Sequence, residues 1–120
     1  MTGTKTGGAR LRPGNRLRRR SEFTQCQNNG RRFATKRFVL LHLANEAGAV
    51  RLGVVVTRKT GGAVIRNRWK RVIRDLFRRE RELLPPGGDE VVIVKSSVRG
   101  KPDPAARDEL RALFSKASER

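Results

Sequence analysis

Tyrosine is absent from this chain, and histidine, cysteine and tryptophan each occur once. A lone cysteine, Cys26, excludes an internal disulfide framework and any zinc site built on paired cysteines. Acidic residues are scarce, 11 against 29 basic ones, which leaves a formal charge of +18 on 120 residues. They are also scattered. The closest pairs, Asp89-Glu90 and Asp108-Glu109, are sequence neighbours whose side chains point in different directions. No carboxylate cluster is therefore available for metal or acid–base chemistry. The single histidine, His42, lies inside an apolar run and reads as a core side chain. No catalytic residue is expected, and no protein metal site can be placed.

Long apolar runs are missing too. None approaches the roughly 18 residues that would suggest a spanning helix, and the longest, Phe38 to Ala44, is interrupted by His42. The stretch from Met1 to Arg20 lacks the apolar segment of a secretory signal. These absences point to a cytoplasmic protein with no membrane partner. A single domain this basic calls for a polyanion, because its self-repulsion is otherwise uncompensated. Nucleic acid is the expected partner.

Residues 1–14 read as a basic flexible arm, 15–117 as a single RNA-binding domain and 118–120 as a C-terminal tail. Within residues 1–20, Lys5, Arg10, Arg12, Arg16, Arg18, Arg19 and Arg20 have no acid among them. Such an arm either solubilises the chain or becomes ordered on a polyanion. Ser21 to Gly30 predicts a short helix, with Ser21 as N-cap and Gly30 as stop. Arg32–Leu43 and Arg51–Thr57 read as two strands, most simply an antiparallel pair. A long helix is expected from Ala63 to Leu84, ended by Pro85-Pro-Gly-Gly88. Asp89–Lys95 is another strand, and Pro104–Ala117 a last helix with Leu110, Leu113 and Phe114 on one side. The class is α+β, a small central sheet of about four strands packed by the long basic helix and two further helices.

The long helix divides sharply by angle. At about 100° per residue, Ile65, Trp69, Val72, Ile73, Leu76 and Leu83 share one arc. Arg66, Lys70, Arg74, Arg78 and Arg81 occupy the other side, with Asn67 and Arg71 beside them. Arg66, Lys70, Arg74 and Arg78 form an i, i+4 row of like charge, which repels itself by a few tenths of a kcal/mol per step. Either this is a solvated face or it meets an external anion, and the lack of interleaved acids favours the anion. Arg58, Lys59, Gly61 and Gly62 precede the helix, where backbone amides and the helix N-terminus suit phosphate. The spacing of a nucleotide-binding P-loop is absent.

The run Val56-Thr-Arg-Lys-Thr-Gly-Gly-Ala-Val-Ile-Arg-Asn-Arg-Trp-Lys-Arg-Val-Ile-Arg resembles the signature of the protein subunit of bacterial ribonuclease P. Asn15-Arg-Leu with Phe23, Phe38-Val-Leu, Leu52-Gly-Val-Val-Val and Asp89-Glu-Val-Val-Ile-Val extend the likeness over residues 15–117. The resemblance implies a left-handed βαβ crossover in which the basic helix links two parallel neighbouring strands, a connection that general chain chirality disfavours. It implies an endoribonuclease whose catalyst is RNA, with the protein not catalytic on its own. The RNA, using Mg²⁺ bound mainly by itself, removes the 5′ leader of precursor tRNA. Partners would be ribonuclease P RNA and precursor tRNA, with no obligate protein partner.

By the same resemblance, Arg58, Lys59, Arg66, Asn67, Arg68, Lys70, Arg71, Arg74 and Arg78 would contact RNA. Phe23, Val39 and Leu41 would line a cleft for the single-stranded leader. Gln27 and Leu41 stand where the family commonly carries aromatics, so stacking, worth about 1–3 kcal/mol per base, has fewer platforms here. Phe23 is either one of them or a core residue. Two rival readings use the same basic residues, a structural RNA-binding protein of ribosomal type and a helix-turn-helix DNA reader. The second lacks a helix just upstream of the basic one.

Overall fold

The computed structural model describes residues 16–17, 20–45, 50–80, 84 and 87–119. The expected arm over 1–14, most of the turn around Gly48, the helix end with Arg81 and Leu83, the prolines Pro85 and Pro86, and the side chains of the tail 118–120 lie outside them. Seven elements follow in chain order: α1 (Arg20–Asn29), β1 (Arg31–Ala34), β2 (Phe38–Ala44), β3 (Arg51–Val55), α2 (Ala63–Glu80), β4 (Gly88–Val94) and α3 (Pro104–Glu119). They form an α+β fold in which one four-stranded sheet, in the order β1-β2-β4-β3, carries helices on both faces.

Two expectations about the strands need correction. The run Arg32–Leu43 is two strands, because Thr35-Lys36-Arg37 turns the chain back on itself. Arg31 then faces His42 and Ala34 faces Val39. The Glu109 carboxylate of α3 holds this turn, accepting from the Thr35 hydroxyl and from the Arg37 amide at 2.7 Å. The antiparallel pairing expected between this region and the strand at Arg51 does not form. β4 lies between them, antiparallel to β2 and parallel to β3. The physical reason is burial: Val91, Val92 and Val94 are almost fully enclosed, and only a central strand protects both its edges and both its faces. Sequence-adjacent strands usually pair, so the intervening strand is a long-range effect.

The two faces bury separate cores. One packs Phe38, Leu40, Leu52, Val92 and Val94 against α2 and α3. There Phe38 meets Trp69 edge-on at 5.9 Å, and Phe77 meets Phe114 at 6.3 Å. The apolar arc of α2 holds Trp69, Ile73 and Leu76 as expected, but Phe77 is also fully buried while Val72 is only half-buried. α3 lies against the flank of α2 and widens the buried arc toward Phe77. The opposite face packs Leu17, Cys26, Val39, Leu41 and Val91 with α1. The Phe23 ring rests directly on Gly53, where any Cβ would collide with it.

The acids of α2 are turned toward α3, and of the basic row Arg78 alone meets one of them among the described residues. Asp75 lies 3.4 Å from Arg107 of α3 and also pairs with Arg78 and Arg79, and Glu80 reaches Arg111 at 3.3 Å. These half-exposed pairs contribute little stability each. Their larger effect is to remove negative charge from the outer face of α2.

Candidate nucleic-acid interface

The approach to α2 is a tight turn. Thr60 N–H donates to the Thr57 carbonyl and Gly61 N–H to that of Arg58, each at 3.1 Å; the first helical bond runs from Arg66 N–H to Gly62 C=O at 2.9 Å. The amides of Ala63, Val64 and Ile65 precede that bond and have no intrahelical acceptor. Gly61 is required by packing, since a Cβ there would strike the Ile65 side chain, whereas Gly62 faces open space. Thr57, Arg58 and Lys59 are exposed beside this helix start.

The cationic side chains of α2 fall into two rows. Asn67, Arg68 and Arg71 are exposed, together with Val64, which at 71% is the exposed large hydrophobic among the described residues. Arg66, Lys70, Arg74 and Arg78 form a half-buried row behind them. The Nε atoms of Arg66 and Arg78 are buried and have no hydrogen-bond partner among the described residues. Arg78 differs from the others because Asp75 neutralises it in part, at 3.2 Å.

Arg74 titrates below the usual arginine range, first because it is partly desolvated and then because the Arg16 cation stands nearby. Arg16 is held there by a parallel bridge to Leu52 at the outer edge of β3. Its own Nε is also buried without a partner. Sequence reasoning placed Arg16 in a general basic arm. Only the bridge to β3 reveals that it joins the α2 row, and no local pattern signals that contact.

The expected cleft residues separate by depth. Val39 and Leu41 are buried, at 4% and 3% exposure, while Phe23 and the neighbouring Val55 and Ile93, packed against the same cluster, are half-buried. Val55 and Ile93 come from β3 and β4, the parallel neighbours on either side of α2 that the family resemblance implies.

Burial, reinforced by the Asp89 and Glu90 charges, pushes the Cys26 thiol up to about 11, so it stays protonated and unreactive at neutral pH. Asp89 and Glu90 do point to opposite faces. Asp89 binds Arg51 at 2.8 Å and Asn45 at 2.6 Å, and Glu90 meets His42 Nδ1 at 2.6 Å. No three His, Cys, Asp or Glu side chains converge on a metal-sized site among the described residues.

The His42–Glu90 pair has a measurable signature. Glu90 is fully buried, one carboxylate oxygen lacks a partner, and desolvation raises its pKa against the lowering effect of His42. Folded Glu90 therefore holds its proton more tightly than unfolded Glu90. Stability is complete below the unfolded value and falls as pH rises through the folded one. Glu90→Gln should flatten that decline, as followed by urea midpoints from mildly acidic to mildly alkaline pH. A variant that loses stability with pH as steeply as the parent would contradict this.

Comparison with known proteins places this geometry. The Ribonuclease P family model matches residues 11–118. Over 82 residues the chain is 45% identical to the ribonuclease P protein component of Oleidesulfovibrio alaskensis, covering 67% of this chain and 66% of that one. It is 36% identical over 101 residues to the component from Desulforapulum autotrophicum, covering 84% and 86%. Among solved structures, the ribonuclease P protein of Thermotoga maritima superposes with a TM-score of 0.74 at 36% identity, covering 84% of this chain and 96% of that one. A Staphylococcus aureus ribonuclease P protein mutant with defective mRNA degradation activity superposes at 0.78 and 26% identity, covering 87% and 88%.

Proposed function

Because this chain belongs to the ribonuclease P protein family, we propose that it is the protein partner of a cytoplasmic catalytic RNA that removes the 5′ leader of precursor tRNA. The observation that carries this reading is the outer surface of α2. It presents Arg68 and Arg71 over the half-buried Arg66, Lys70 and Arg74, while the acids of the same helix are directed to α3. Such a face binds phosphates and gains affinity by releasing their counterions. Arg58 and Lys59 extend it past the helix start, and Arg78 contributes with a charge already shared with Asp75.

The protein's part is to bind and orient. In this reading, which follows the family resemblance, Mg²⁺ is bound mainly by the RNA. The cleft between α1 and the sheet suits a single strand, with Phe23 as its stacking surface and Val55 and Ile93 beside it. Reconstitution with a bacterial ribonuclease P RNA is the test. The protein should allow precursor cleavage at Mg²⁺ concentrations where the RNA alone is slow, and unchanged cleavage across a magnesium titration would refute the assignment.

A structural RNA-binding role draws on the same basic face and is separated by leader dependence. Phe23→Ala should weaken binding of precursor tRNA by about 1–3 kcal/mol and leave mature tRNA unaffected. Equal loss for both would identify Phe23 as packing alone.

A further inference from the structure

A second cationic surface lies at one end of the sheet. Three connections meet there: the β1–β2 turn at Thr35–Arg37, the turn from Thr57 to Thr60 before α2, and the loop of residues 95–103 between β4 and α3. Backbone bonds stitch them together. Lys95 N–H donates to Arg37 C=O at 2.8 Å, and Gly100 N–H to Thr60 C=O at 2.9 Å. The Gly100 carbonyl in turn accepts from the Trp69 indole at 2.7 Å. Gly100 makes both bonds at φ 83°, a conformation that favours glycine. The Arg37 guanidinium reaches Asp103 at 3.2 Å and ties the first turn to the loop.

This surface carries Lys36, Arg58, Lys59, Arg99 and Lys101, all exposed, and the half-buried Lys95. None of the six forms an ion pair among the described residues. The nearby acids, Asp103 and Glu109, are engaged by Arg37 and the β1–β2 turn. Arg99 folds over the carbonyls of its own loop, Ser96 and Val98, and still lacks a carboxylate. The result is a rigid platform of positive charge assembled from distant parts of the chain.

We propose that this platform binds the phosphate backbone of a helical segment of the catalytic RNA, as a docking surface that adds Lys36, Lys95, Arg99 and Lys101 to the Arg58 and Lys59 beside the α2 face and lies apart from the leader cleft. The inference rests on the function proposed above. Its ligand follows from what the platform lacks. It presents no exposed aromatic or large apolar side chain, and its Val98 packs against the core. Single-stranded RNA is gripped by stacking as well as charge, and the reachable apolar side chains Phe23, Val55 and Ile93 lie in the cleft instead. A surface of cations without stacking platforms fits a duplex, whose bases are enclosed and whose backbone is the accessible feature. The platform also continues into the N-terminus of α2, so one RNA can span both.

The test reverses two exposed charges that form no ion pair among the described residues, Lys36→Glu with Lys101→Glu. Affinity for ribonuclease P RNA should fall about tenfold or more, and the slope of log affinity against log salt should become shallower by about 2, one unit per lost phosphate contact. The preference of the reconstituted holoenzyme for precursor over mature tRNA should not change. Gly100→Ala meets open space but an unfavourable φ, and should weaken RNA binding in the same direction by displacing the loop. A thermal melt matching that of the parent establishes that the charge variant folds. Affinity and slope equal to the parent's would overturn the proposal, as would a loss confined to precursor tRNA, which would assign the platform to substrate. Failure of the parent chain itself to bind the RNA would instead sink the proposed function.

Discussion

Replacing Arg66 and Arg68 with alanine is expected to weaken assembly with ribonuclease P RNA by about 1–3 kcal/mol at each position and to flatten its salt dependence. Arg68 is exposed and has no carboxylate partner among the described residues. Arg66 is half-buried, yet its Nε has no acceptor among them. Neither truncation removes an internal ion pair, so stability should stay close to the parent's while RNA affinity falls. Titration at two salt concentrations checks this, and parallel salt slopes for variant and parent would count against it. Arg66→Lys sharpens the result. Lysine keeps the charge but loses the planar fork, so recovery of the salt slope without recovery of affinity would indicate a bidentate contact.

Truncating Trp69 to alanine should cost about 3–5 kcal/mol of folding stability, a large part of what a domain this size possesses. Trp69 is 2% exposed, packs edge-on against Phe38 and donates its indole N–H to Gly100. Trp69→Phe separates these roles. It keeps most of the ring packing and leaves the Gly100 carbonyl without its donor, for a smaller loss of about 1–3 kcal/mol. Urea unfolding of both variants is the measurement. Equal losses would mean that the hydrogen bond outweighs the packing, contrary to this account.

The readable parts of this protein are those whose information is local. The basic row of α2 follows from helical periodicity alone, and so do Trp69, Ile73 and Leu76 on its inner side. The opposed directions of Asp89 and Glu90 follow from the alternation of a strand. Phe77 was missed because its burial depends on α3 packing beside α2, a contact made with Phe114, far along the chain. Local patterning alone paired β2 with β3 for the same reason, since pairing order is decided by which strand has the most apolar surface to enclose; the parallel pairing of β4 with β3 came only from the family resemblance. The hairpin turn at Thr35–Arg37 carries no glycine or proline and is held by Glu109 from a distant helix.

The site shows the same division. Arg66, Asn67, Arg68, Lys70 and Arg71 are consecutive or nearly so, and one motif contains them. Arg16 approaches Arg74 only because residues flanking α1 bridge to β3, and Val55 joins Ile93 only because β3 lies parallel to β4. The platform at the sheet end is less legible still. Its cations are spread from Lys36 to Lys101, and apart from Arg58 and Lys59, which lie in the motif, none stands out in its own segment.

The position of β4 also governs when this protein can fold during synthesis. β1 and β2 form a hairpin by themselves, but β3 pairs with neither of them and joins the sheet only through β4, residues 88–94. A nascent chain that has released α2 but not β4 therefore exposes the arginine row on a helix whose supporting sheet does not yet exist. Contacts of such long sequence separation form slowly. Until they do, an unfolded polycation emerges from a ribosome that is itself largely RNA. The order of strands thus makes the interval between release of α2 and closure of β4 the time when this chain is most exposed to the wrong polyanion.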